Sequence, residues 1–156
     1  MQLSIRRDVL VPLVSPIGPL FPNTVINDAT EGIIAWSNPG NALNSNDGYA
    51  TSVLVAQTTQ RLNATSFTFS AYIEPFRKIR GISIGVEAKQ LIGGGTQLIR
   101  LIKNGVVQSA SKNSTWDTVE ATFQVGSSGD LWSGHWLAED IMSENFGVSI
   151  RNSAGL

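Results

Sequence analysis

Apolar and polar positions alternate along much of this chain with the two-residue period of a β-strand. Ile82, Ile84, Val86 and Ala88 alternate with Ser83, Gly85 and Glu87, which gives that segment one apolar and one polar face. Gly93-Gly94-Gly95 reads as a loop, Leu98 to Lys103 as a second strand, and Asn104-Gly105 as a tight turn into Val106-Val107. Asn-Gly between apolar runs is a strong hairpin signal, because both central residues of a type I′ turn need positive φ. Ile79 to Ala110 is therefore predicted to be an antiparallel β-meander around which the rest of the chain is organised. Val119, Ala121, Phe123 and Val125 predict a further strand, as do Phe67, Phe69 and Ala71 before the stop at Glu74-Pro75. Ile33-Ile34-Ala35-Trp36 predicts a short apolar strand and Phe146, Val148 and Ile150 the closing one, whereas Thr58 to Asn63 reads as polar. Leu137 to Ser143 has room for one or two helical turns. No helix is long enough to cover a sheet, so a sheet must cover a sheet. The predicted class is all-β, an antiparallel β-sandwich.

Residues 1–28 follow a different pattern. Val9 to Pro22 is apolar and carries Pro12, Pro16, Pro19 and Pro22. Each proline fixes φ and removes an N–H, which argues against both a helix and a central strand. The segment is too apolar to be a solvated linker. Val9, Leu10, Val11, Leu13, Val14, Ile17, Leu20 and Phe21 are thus predicted to anchor an extended arm on a neighbouring subunit. An edge ribbon packed on its own domain is the alternative. The domain organisation that follows is an arm at 1–28, a sandwich at 29–152 and a tail at 153–156.

At 156 residues the chain fits one domain with a sizeable core. Charged residues make up only 15%, and the net charge is −1, which argues against nucleic acid or an anionic membrane as partner. The charges are unevenly spread. Arg61 to Lys112 holds eight basic residues and two acids, whereas Asn113 to Ile150 holds six acids and no Lys or Arg. Such asymmetry could set register between copies, or it could mix on the folded surface as strands from the two halves interleave. There is no cysteine, which removes disulfides, thiol nucleophiles and Cys-based metal sites. The opening residues lack the pattern of a signal peptide, and no apolar run reaches transmembrane length, so a soluble protein made in a cytoplasm is expected.

Candidate chemistry is sparse, and no cofactor is expected. His135 is the only histidine, and Ser133, Asp130 and Asp140 lie near it in sequence, but Trp132-Ser133-Gly134 lacks a nucleophile elbow. No catalytic residue is therefore assigned. Gly93-Gly94-Gly95 is not followed by the Lys-Ser or Lys-Thr of a phosphate loop. Asn44, Asn46 and Asp47 supply one carboxylate among them, too little for a calcium loop of the EF-hand type. Trp132 and Trp136 fall in a loop-like region and form a candidate stacking platform for a glycan; Trp116 reads as core.

Several short motifs carry a resemblance as a set. They are Trp36-Ser37-Asn38-Pro39 with Asn41-Ala42, Asp47-Gly48-Tyr49-Ala50, Leu62-Asn63-Ala64-Thr65 with Phe67-Thr68-Phe69, and Ile79-Arg80-Gly81-Ile82-Ser83-Ile84. Asp130-Leu131-Trp132, Asp140-Ile141 and Phe146-Gly147-Val148 complete it. Over residues 33–152 the chain resembles the small jelly-roll-like sandwich proteins encoded among the structural genes of tailed bacteriophages. The resemblance implies a non-enzymatic virion component, either a capsid decoration or cement protein, or a tail or baseplate element. It also implies other virion proteins as partners and self-association, a trimer included. Related modules on fibres resemble carbohydrate-binding sandwiches. Taken simply as structure, the same residues predict that Asp130 ties a loop through backbone N–H groups and that Trp36 and Tyr49 fill one end of the core.

Overall fold

The computed structural model describes residues 2–7, 16–45, 48–53, 57–91 and 95–153. These residues form two antiparallel sheets packed face to face. The first sheet has the order β2-β1-β5-β8 and comprises β1 (Gln2–Arg7), β2 (Pro16–Leu20), β5 (Ile79–Ala88) and β8 (Ala121–Gly126). The second has the order β3-β4-β9-β6-β7. It contains β3 (Thr24–Asp28), β4 (Arg61–Thr65), β9 (Gly147–Ser153), β6 (Thr96–Lys103) and β7 (Val106–Ser114). One short helix, α1 (Ala138–Met142), lies where one or two helical turns are predicted. The all-β sandwich is thus the observed architecture.

The strand periodicity translates directly into the core. Ile82 and Ile84 of β5 are fully buried and face Ile99 and Leu101 of β6 and Val148 and Ile150 of β9 in one cluster. Asn104 (φ 50°) and Gly105 (φ 80°) both adopt the left-handed conformation, as a type I′ turn between β6 and β7 requires. At Gly147 a Cβ would fall 2.1 Å from the Ala64 carbonyl oxygen, so Phe146-Gly147-Val148 carries its glycine where β4 and β9 meet.

Three expectations need correction. The stretch from Ile79 to Ala110 is not a meander within one sheet. β5 pairs with β1 and β8, whereas β6 pairs with β7 and β9. The crossing places the apolar faces of β5 and β6 opposite each other; side by side, both would have lacked a second layer.

The segment around Phe67 is not a strand. The strand is the preceding Arg61–Thr65, with Leu62 and Ala64 buried. Ser66 then takes φ 60°, and Phe69–Ala71 forms a 3-10 turn. Phe67 and Phe69 both point inward because the chain here closes the end of the sandwich. Their rings lie 6.0 Å apart and 6.4 and 6.1 Å from Phe146, which meets Trp136 edge-on at 5.7 Å. Ile33 to Trp36 is likewise reduced to a single isolated bridge, Ile34 to Thr59. The Asn27 side chain brackets Trp36, accepting its N–H and donating to its carbonyl oxygen, both at 2.9 Å.

The third correction concerns residues 1–28. Gln2–Arg7 is an interior strand, paired with β2 on one side and β5 on the other. It contains no proline. Pro16 and Pro19 fall on β2, an edge strand, where a missing N–H can face away from the ladder. Residues 24–28 form the edge of the second sheet. The sandwich therefore starts well before residue 29, and the described part of this segment is a ribbon of its own domain.

Candidate interaction site

Of the residues expected to anchor an arm, Val9, Leu10, Val11, Leu13 and Val14 lie outside the described residues. Ile17 and Leu20 are half-buried against the chain's own core, and Phe21 is half-buried.

The tryptophan platform is corrected by burial. Trp132 and Trp136 retain only 4% and 6% of their surface. The Trp132 indole N–H donates to the Ile82 carbonyl oxygen at 2.9 Å, and that of Trp136 to the Leu131 carbonyl oxygen at 3.0 Å. Lys112 Nζ stands 5.1 Å above the Trp132 ring and Lys103 Nζ 5.5 Å above that of Trp136. Neither indole face is open for a pyranose to stack on.

Those lysines also account for the uneven charge. Lys112 pairs with Asp130 at 2.6 Å, Lys103 with Asp140 at 2.9 Å and Lys89 with Glu120 at 3.6 Å. Each pair joins the basic stretch to the acidic one within a single chain. The two halves interleave, and these charges are matched inside the protomer.

Asp130 also accepts the Trp132 backbone N–H at 2.8 Å, tying the loop as its motif implies. Asp140 accepts the Leu137 N–H at 2.8 Å at the start of α1. Burial works to raise both carboxyl pKa values. The hydrogen bonds from Lys112 and from the Trp132 N–H outweigh it at Asp130, and those from Lys103 and the Leu137 N–H at Asp140, so both groups end below the usual range. A carboxylate whose pKa is lowered on folding stabilises the native state above its unfolded pKa. That contribution is lost as pH falls through the folded value. Thermal stability should therefore hold down to mildly acid pH and drop below about pH 4. An Asp130→Asn, Asp140→Asn variant should be less stable at neutral pH and show a shallower acid slope in melts across pH. An unchanged slope would mean that these pairs do not set acid stability.

Since both carboxylates beside His135 are engaged this way, they orient loops rather than an imidazole. His135 is exposed, and its carbonyl oxygen accepts from Lys103 at 2.9 Å. Asn46 and Asp47 of the candidate calcium loop lie outside the described residues. Among the described residues no group of three His, Asp or Glu side chains is placed to hold a metal ion.

A site that sequence reasoning passed over lies at Glu74-Pro75-Phe76-Arg77. The Arg77 N–H reaches back to the Glu74 carbonyl oxygen at 3.4 Å, closing a four-residue turn. Proline at its second position and positive φ (64°) at its third define type II geometry, where glycine is the usual third residue. Phe76 occupies that position instead, at a cost of about 1–2 kcal/mol. Its ring is 93% exposed, so the strain is not repaid by burial within the chain. The turn is braced. Arg77 Nε donates to Glu74 Oε2 at 2.7 Å, and the Phe76 N–H points to Glu139 Oε1 of α1 at 3.3 Å. Tyr72, on the same loop, and Leu137, before α1, are each about half exposed. Lys78 and Arg80 follow on the surface. The legible signal was a Pro-aromatic pair bracketed by opposite charges, where a turn would ordinarily place glycine.

A braced, strained turn that displays an aromatic ring to solvent is suited to docking, because strain of this kind persists where a local geometry is needed. No protein-family model matches the chain, and no curated protein or solved structure matches it significantly.

Proposed function

We propose that this chain is a non-enzymatic structural protein of a tailed-phage particle. Its role is that of a capsid decoration or cement protein bound to neighbouring virion subunits. The observation that carries the reading is Phe76, fully displayed at a position that penalises every side chain. The motif resemblance supplies the setting. The occupant of the turn is a protein surface with an apolar pocket for the ring and a carboxylate facing Lys78. Aromatic anchors inserted in such pockets typically dominate an interface. Localisation in the virion and self-association belong to the same proposal.

Phe76→Gly separates folding from docking. Glycine takes positive φ freely, so the variant should melt at the wild-type temperature or slightly above it. Introduced into the parental phage, it should be depleted from purified particles by about tenfold or more, measured as copies per particle by quantitative mass spectrometry. Phe76→Tyr should restore incorporation. A wild-type chain absent from particles would overturn the virion reading. Full incorporation of Phe76→Gly would instead remove this turn as its anchor. The copy count also separates head from tail, since decoration proteins are far more numerous than tail-tip components.

A further inference from the structure

The outer face of the second sheet carries an arrangement that neither the core nor the Phe76 turn uses. On β4, β9 and β6 the rows Leu62-Ile150-Ile99 and Ala64-Val148-Leu101 face the core. The intervening positions face outward. Asn63, Ser149 and Arg100 stand in one register row, and Arg61 and Arg151 occupy the neighbouring row. Three guanidinium groups thus rise from three adjacent strands onto one face. Arg61 is buried to 2% exposure, an unusual place for a cation.

Glu31, from the loop that follows β3, is the carboxylate these arginines share. It pairs with Arg61 Nη2 at 2.6 Å and with Arg151 Nη1 at 2.5 Å. Arg61 Nη1 also reaches Ser149 Oγ at 3.4 Å. The other nearby carboxylate, Asp28, is engaged by the Thr30 N–H and by Asn63 Nδ2, both at 2.9 Å. Arg100 acts on Glu31 through its charge but makes no direct ion pair with it. Among the described residues it is half-buried, and its Nε is shielded from water without a hydrogen-bond partner. The Arg151 Nε and the Asn63 Oδ1 are buried and unpartnered in the same cluster. Buried polar groups are normally satisfied, and a partly desolvated guanidinium beside two others is costly without a counter-charge.

We infer that Arg100, together with Arg151, binds an oxyanion on this face, a carboxylate or phosphate group that takes the guanidinium fork in bidentate fashion. Glu31 is the resident carboxylate of the cluster, and the external anion supplies the direct hydrogen-bonded partner that Arg100 lacks. The inference is independent of the virion reading, since it rests on charge balance at a different surface.

The test is a titration of the full chain with inorganic phosphate and, separately, with acetate, at constant ionic strength set by chloride. Amide shifts of β6 and β9 provide the readout. Saturable shifts centred on Arg100 and Arg151 are expected for at least one of the two anions. Arg100→Gln should weaken binding by about tenfold, and Arg100→Lys, which keeps the charge but loses the fork, should fall between. Glu31→Gln should act in the opposite direction and tighten it, because it removes the competing carboxylate. A cluster that merely straps the 29–34 loop to the sheet predicts no saturable shift with either anion. That result, or equal binding by wild type and Arg100→Gln, would overturn the inference. If Glu31→Gln proves too unstable to study, the Arg100 pair decides alone.

Discussion

Deleting residues 1–22 should abolish the fold. β1 pairs with β5 through six residue pairs, Gln2 with Gly85 through Arg7 with Ile79, and β2 pairs in turn with β1. The truncation strips two of the four strands of the first sheet and bares one whole edge of β5. It also removes the side chains of Ile17 and Leu20 from the flank of the core. At about 0.5–1.5 kcal/mol per hydrogen bond, the lost ladder approaches the 5–15 kcal/mol that separates folded from unfolded in a typical domain. The truncated chain should be insoluble or lack a cooperative melt, and its amide spectrum should collapse. A soluble, cooperatively folding truncation with the wild-type melting temperature would mean that Gln2–Arg7 is dispensable to the sheet. It would also leave that segment free to anchor elsewhere.

The second large effect is expected at Phe146. Its ring is fully buried and touches the whole aromatic group that closes one end of the sandwich, Phe67, Phe69 and Trp136. The residue also delivers the chain into β9, which lies at the centre of the five-stranded sheet between β4 and β6. Phe146→Ala leaves a cavity that these large, mutually wedged rings cannot collapse to fill, a change that typically costs about 3–5 kcal/mol. For a chain of this length the melting temperature should fall by roughly 6–20 °C. Phe146→Leu, which retains most of the volume, should lose much less. A drop in Phe146→Ala no larger than that of an exposed substitution would show that the end group is not a structural unit. The contrast with Phe76→Gly is informative: two phenylalanines in one molecule, one essential to the core and the other a net burden to it.

The amino-acid sequence by itself determined which positions along several strands face inward. Ile82, Ile84, Val86 and Ala88 are all buried in β5, with Ser83 and Glu87 between them less so, because a pleated strand has one fixed period, whatever it pairs with. The Asn104-Gly105 turn, the short helix near Asp140 and the Asp130 loop tie were equally legible, since each depends on residues a few positions apart. Sheet membership was not. Nothing in the period of β5 records that its neighbours are β1 and β8 rather than β6, because pairing partners are chosen by which arrangement covers both apolar faces. The same holds for the site residues. Trp132 and Trp136 occupy a loop, and only the packed fold reveals that the loop is turned inward with lysines laid over both rings. The basic and acidic halves look like two surfaces until the strands interleave and bring Lys103 to Asp140 and Lys112 to Asp130. Local chemistry governs turns, caps and periodicity; burial, ion pairing and strand order arise between segments distant in sequence, and only the tertiary structure decides them.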